Sequence, residues 1–109
     1  MTLDVSVDLD PDPEELLDAE LAVVEGDPSV LVKAFALGPG ATLSPHEHPG
    51  STNVFHLVEG ELVVVRGDEE ERLTAPATVV NEPGVVHGAR NESDAVATLT
   101  ATMAPIPGA

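Results

Sequence analysis

Apolar and polar residues alternate at the start of the chain. Leu3, Val5, Val7 and Leu9 fall on one side and Asp4, Ser6 and Asp8 on the other, which predicts a half-buried strand over 3–9. Asp12-Pro13-Glu14-Glu15 then has the form of a helix start. Asp12 suits the N-cap, Pro13 the first helical position, and Glu15 closes a capping box, so a short helix is expected to about residue 19. Beyond it the pattern is that of strands. Runs over 21–25, 29–37, 41–48, 53–59, 61–66, 69–74, 77–81, 85–89 and 95–103 are separated by Gly26-Asp27-Pro28, Gly38-Pro39-Gly40, Pro49-Gly50, Gly60, Gly67-Asp68, Pro76, Pro83-Gly84 and the polar 91–94 loop.

Nine or ten short strands spaced by turns predict an all-β sandwich or barrel, with at most one short N-terminal helix. There is no internal repeat or linker, so 1–109 reads as one domain. Its core spans about 21–103, an N-terminal strand and helix lie within 3–19, and the tail 104–109 is expected to be loose. The residue types agree. Val, Leu and Ala dominate the apolar set, with two Phe and no Trp or Tyr, and Val fits a pleated surface.

Charge sharpens the picture. Twenty Asp and Glu against four Lys and Arg give a net charge of −16, with Lys33 the sole lysine. Such a surface repels nucleic acid and anionic membranes, so neither is an expected partner. It also predicts adaptation to a salt-rich, halophilic setting, where screening suppresses self-repulsion. The absence of cysteine excludes disulfides, thiolate metal sites and cysteine nucleophiles. No apolar run is long enough to span a membrane, and the acidic first ten residues lack the basic start of a secretory leader. The expected location is therefore cytoplasmic.

The chemistry centres on histidine. In an extended segment His46 and His48 leave the same face with Cα atoms about 6.6 Å apart, close enough to converge on one ion, while Glu47 points away. Taken alone, the pair reads equally as two exposed loop histidines, and His87 on its Val-rich strand as a satisfied core residue. Their combination is what carries information. Gly40, five residues, His46, one residue, His48, four residues, Asn53, six residues and Gly60 follow one motif; Gly84, two residues, His87, three residues and Asn91 follow another. The two motifs resemble those of the cupin superfamily, over 30–103.

The resemblance implies a double-stranded β-helix, the jelly-roll barrel, with a small ligand pocket inside. It implies that His46, His48 and His87 bind a divalent transition metal, iron, manganese, nickel or zinc. The family's glutamate ligand is Asn53 here, a neutral and poorer donor. Asn53 coordinates through its oxygen, hydrogen-bonds a bound water, or does neither. Glu82 and Pro76 also stand where the family has proline and glycine. If Asn53 faces inward, so do Phe55 and Leu57, the expected pocket wall. His56 falls on the opposite face as a structural or interface residue, and Leu43, of opposite parity to the histidines, is expected to pack elsewhere.

No nucleotide-binding glycine loop, nucleophile elbow or complete calcium loop is present. The expected function is a small metal-binding protein: a mononuclear metal-dependent dioxygenase, lyase or isomerase of a small organic molecule. The alternative is a non-catalytic module that binds a sugar or organic acid; a third reading is a vestigial site on a structural dimerisation unit. A homodimer is expected, with the 3–9 strand a candidate for exchange between copies.

Overall fold

The computed structural model describes residues 9–107, so the 3–9 strand and its exchange lie outside the described residues, apart from Leu9. The described residues contain nine strands and no helix, in two antiparallel sheets. The strands are β1 (Leu16–Val24), β2 (Val30–Leu37), β3 (Thr42–His46), β4 (Thr52–Glu59), β5 (Glu61–Arg66), β6 (Glu69–Thr74), β7 (Ala77–Asn81), β8 (His87–Arg90) and β9 (Ala97–Ala104). One sheet runs β1-β2-β9-β4-β7 and the other β3-β8-β5-β6, the two-layer order of a jelly roll.

The expected N-terminal helix does not form. Half of the capping box exists: the Glu15 carboxylate accepts from the Asp12 N–H at 3.0 Å, while the Glu15 N–H donates to the Asp12 backbone carbonyl at 3.0 Å, a turn bond. However, Glu14 takes φ of 67°, which closes a tight turn and sends the chain out of it extended. Residues 16–24 then pair along the whole of β2, from Leu16 opposite Leu37 to Val24 opposite Val30. Long-range pairing overrides a local helix signal of only a few residues.

Alternation puts one face of each central strand into the core. Ala97, Leu99, Ala101 and Met103 of β9 are buried in turn, as are Asn53, Phe55 and Leu57 of β4. They meet Leu37, Leu43, Leu62 and Val64 in one cluster, to which Leu73, Ala77 and Val79 add partial cover. His56 points outward and bonds the Thr78 hydroxyl at 2.9 Å.

The loops are tied by polar groups. Asn91 is buried at 1% exposure with all its bonding capacity used at one junction. Its Nδ2 donates to the Leu37 and Ala95 carbonyls at 2.9 and 2.7 Å, and its Oδ1 accepts from the Ser93 N–H and hydroxyl at 2.9 and 2.6 Å. The end of the chain, expected to be loose, is anchored through residue 106. The Ser51 hydroxyl donates to the Pro105 carbonyl at 2.6 Å, and the Ile106 N–H donates to the Ser29 hydroxyl at 2.9 Å. These two hydroxyls complete backbone groups that have no strand partner.

Lys33, Arg72 and Arg90 all pair with carboxylates: Lys33 with Asp18, Arg72 with Glu61 and Glu92, and Arg90 with Glu70 and Glu92. Hydrogen bonds from Arg90 hold the Glu70 and Glu92 carboxyls below the usual carboxylate range. Arg66 has no carboxylate within 4.0 Å among the described residues and turns to the Val80 carbonyl at 3.4 Å.

Candidate metal centre

β3 and β8 bring the histidines together. His46 lies directly opposite His87 in the β3–β8 pair. His48 follows two residues later, where its carbonyl accepts from the Ser51 and Gly84 N–H groups, both at 3.2 Å. That carbonyl therefore fastens the turn before β4 to the turn before β8. The three rings stand at centroid separations of 4.9 Å (His46–His48), 4.5 Å (His46–His87) and 5.4 Å (His48–His87). One nitrogen from each lies within 4.8 Å of the others.

A bulge sets this register. Leu43 faces Ala89 and His46 faces His87, so three steps along β3 match two along β8. The extra residue reverses the parity. Leu43, expected to pack away from the histidines, instead points into the same core at 8% exposure. Strict alternation fails here because the bulge adds one residue between the two positions. β3 can lie this close to β8 because Gly88 has no side chain. A Cβ there would sit 2.7 Å from the Leu43 carbonyl oxygen and 3.0 Å from Pro45 Cα. β8 also starts at His87 rather than at Val85, which belongs to the preceding turn.

Hydrogen bonds fix two of the rings. His46 Nδ1 contacts the Ser44 carbonyl at 2.7 Å and His87 Nδ1 the Val85 carbonyl at 2.9 Å. A carbonyl only accepts, so each Nδ1 carries a proton, and in the neutral ring Nε2 is then the atom with the free lone pair. His87 is 1% exposed, and its Nε2 has no partner among the described residues. Burial, with repulsion from His46, pushes the pKa of His48 below the ordinary value, and burial does the same for His87 against the opposing effect of the Val85 carbonyl bond. Neutral imidazoles with converging lone pairs are the form that binds a cation.

The remaining expected residues fall as follows. Asn53 is 1% exposed, and its Oδ1 accepts from Asn81 Nδ2 at 3.1 Å. Phe55 sets its ring edge-on to His87, centroids 5.4 Å apart. Leu57, two residues on, is buried in the core cluster with Phe55. Glu47 and Glu82 are exposed. Asn81 is the residue that sequence reasoning overlooked. It lies directly opposite Asn53 and shares the inward face of Ala77 and Val79, so alternation along β7 could have found it. It is fully buried, and its Oδ1 lacks a partner.

A cavity of about 160 Å³ adjoins His48, framed by Pro49, Gly50, Ser51, Pro105, Ile106 and Pro107. A larger groove of about 640 Å³ opens between β6 and β7, but no histidine lines it. Of the three histidines, His48 lines the small cavity.

Residues 33–103 match the cupin domain family. The chain belongs to the cupin family. Among solved structures, TT1209 from Thermus thermophilus is 33% identical, with a TM-score of 0.80 and 91% of each chain covered. KdgF from Halomonas sp. has the same cupin fold at 19% identity and a TM-score of 0.76, covering 85% of this chain and 81% of that one. A sugar phosphate isomerase from Silicibacter pomeroyi is 27% identical with a TM-score of 0.66, over 72% of this chain and 52% of that one. The H2HPP isomerase of Bacillus subtilis is 36% identical over 72 residues, 65% of this chain. This cupin spans only 29% of the length of that relative.

Proposed function

We propose that this cupin holds one divalent transition metal ion on His46, His48 and His87 and acts on a small organic molecule, as an isomerase or a related lyase. The observation that carries the reading is the His87 Nε2 atom. It is buried and unpartnered, its tautomer is set by Val85, and nitrogens of His46 and His48 lie within 4.8 Å of the His87 ligand nitrogen. An unpaired buried acceptor is costly, and an ion shared with His46 and His48 would satisfy it. Iron, manganese, nickel and zinc all suit imidazole donors.

When bound, such an ion supplies Lewis-acid polarisation of a carbonyl or hydroxyl oxygen. The chain does the rest. Phe55 excludes water from one side of His87 and limits its rotation. The carbonyls of Ser44 and Val85 hold two imidazoles in place. Asn53 and Asn81 offer neutral amide groups rather than acids or bases. Two relatives whose names are those of isomerases favour isomerisation over oxygen chemistry.

The two amides also favour a second reading, a binding module without turnover, because neither can take up or give a proton at neutral pH. We further read the protein as a halophilic homodimer. Its −16 charge supports the first term and the exposed Val23 and Val24 of edge strand β1 the second. The deciding experiment is elemental analysis of untagged protein and its His87→Ala variant, followed by a panel of hydroxy and oxo acids and sugar phosphates. About one equivalent of metal, lost in the variant, together with turnover supports the isomerase. Metal without turnover supports the binding module. No metal in the wild type after loading refutes the metal-dependent isomerase and leaves a metal-free binding module.

A further inference from the structure

β6 and β7 are the edge strands of their two sheets, and the groove of about 640 Å³ lies between them. Register fixes what faces it. Glu69, Glu71 and Leu73 of β6 stand directly opposite Arg66, Val64 and Leu62 of β5, so these side chains leave the same face. Leu62 and Val64 are buried in the core, which identifies that face as the inner one. The groove therefore has an apolar floor, from Val64 and Leu73 on one side and Ala77 and Val79 on the other. The exposed Arg66, Glu69 and Glu71 form its rim. Its volume lies in the usual range of small-molecule sites, about 300–1,000 Å³.

The charges at the rim are not paired with one another. Arg66 sits directly opposite Glu69, yet no carboxylate lies within 4.0 Å of it among the described residues. Its guanidinium reaches across the groove to the Val80 carbonyl at 3.4 Å, a long bond that leaves most of its donors unused. Glu69 and Glu71 also lack an ion pair among the described residues. Glu70, between them, leaves the other face and accepts from both terminal nitrogens of Arg90, at 2.7 and 2.8 Å. In a chain of charge −16, Lys33, Arg72 and Arg90 each hold a carboxylate, and Arg66 does not. One cation and two carboxylates thus stand apart over a single apolar floor.

The geometry points to a binding site for a free amino acid with an apolar side chain. The ligand carboxylate pairs with the Arg66 guanidinium, whose planar fork suits two oxygens, and the ammonium group pairs with Glu69 and Glu71. The side chain covers Val64, Leu73, Ala77 and Val79. Charge disfavours the simpler ligands. An apolar anion without an ammonium group meets the two glutamates, and an apolar cation without a carboxylate meets Arg66. A zwitterion has neither fault. The site is separate from the histidines, none of which lines the groove, and it requires no metal.

The test is an amide-shift NMR titration of the full-length, chelator-treated protein with L-leucine, L-leucinamide and isocaproate, which share one apolar chain. Leucinamide lacks the carboxylate and isocaproate lacks the ammonium group. Leucine should bind about fivefold more tightly than either, with shifts in β6 and β7. Arg66→Gln should bind leucine no better than leucinamide. A double variant, Glu69→Gln with Glu71→Gln, should bind leucine no better than isocaproate. All three positions are exposed, so the core is untouched. Equal affinity of the wild type for leucine and leucinamide overturns the role of Arg66, and equal affinity for leucine and isocaproate overturns that of the glutamates. No binding of leucine, or shifts confined to the surroundings of His46, His48 and His87, overturns the site itself. Since the chelated protein carries no metal, any of these failures leaves the metal reading standing.

Discussion

Gly88 gives the most direct link between backbone packing and the metal centre. In Gly88→Ala the new Cβ would lie 2.7 Å from the Leu43 oxygen and 3.0 Å from the Pro45 backbone, against 3.4 Å or more for ordinary contact. Relief needs a shift of about 0.7 Å, the difference of those distances, and the atoms in the way are backbone rather than a flexible side chain. The strand that has to move is β3, which carries His46 at its end. Metal sites hold their ligand distances to within about 0.2 Å, so a shift several times larger should lower affinity by about tenfold or more. Overpacking of this kind costs about 1–3 kcal/mol in stability. Zinc or Co(II) titration and urea denaturation of the variant measure the two effects separately. Gly50→Ala is the control, since a Cβ there meets nothing within 4 Å although Gly50 lies only two residues after His48. A Gly88→Ala protein with wild-type metal affinity would refute the view that β3 is positioned by its approach to β8.

Asn91→Ala removes a side chain that holds two carbonyls and two donors at a buried junction. It should cost about 2–3 kcal/mol, read as a lower urea midpoint with little change in metal affinity. The metal-free protein should lose stability as pH falls from 7.5 to 5.5. His48 and His87 have lowered pKa values when folded, so the unfolded chain takes up protons first and is favoured on acidification; thermal melts at several pH values check this, and a flat profile would contradict it. At neutral pH, bound metal should raise the melting temperature and a chelator should reverse the gain. Raising KCl from low concentration to 1 M should raise the urea midpoint, because screening relieves the repulsion within a chain of charge −16; a midpoint independent of salt would count against halophilic adaptation.

The barrel was legible because its signal is long and redundant. β5, β6 and β7 fall on the residues where turn chemistry and apolar runs put them, and the remaining strands are displaced by only a few residues. The exception is β1, where a local capping pattern lost to pairing with β2. At the site, the histidine spacing was readable from the motif. The bulge that turns Leu43 inward was not, because parity assumes an uninterrupted ladder. Alternation along β7 does put Asn81 on the inward face with Ala77 and Val79, but its pairing with Asn53 shows only once the sheet order is known.

The small cavity beside His48 has three prolines in its frame, Pro49, Pro105 and Pro107. A proline ring fixes its own φ and restricts the preceding residue, so such a rim yields little to a bulky visitor. At about 160 Å³ the space is well below the usual range for drug-sized ligands, about 300 Å³ and above. The space beside His48 is therefore shaped by covalent geometry rather than by side-chain rotamers, and replacing a rim proline is the change that would widen it while leaving the histidines untouched.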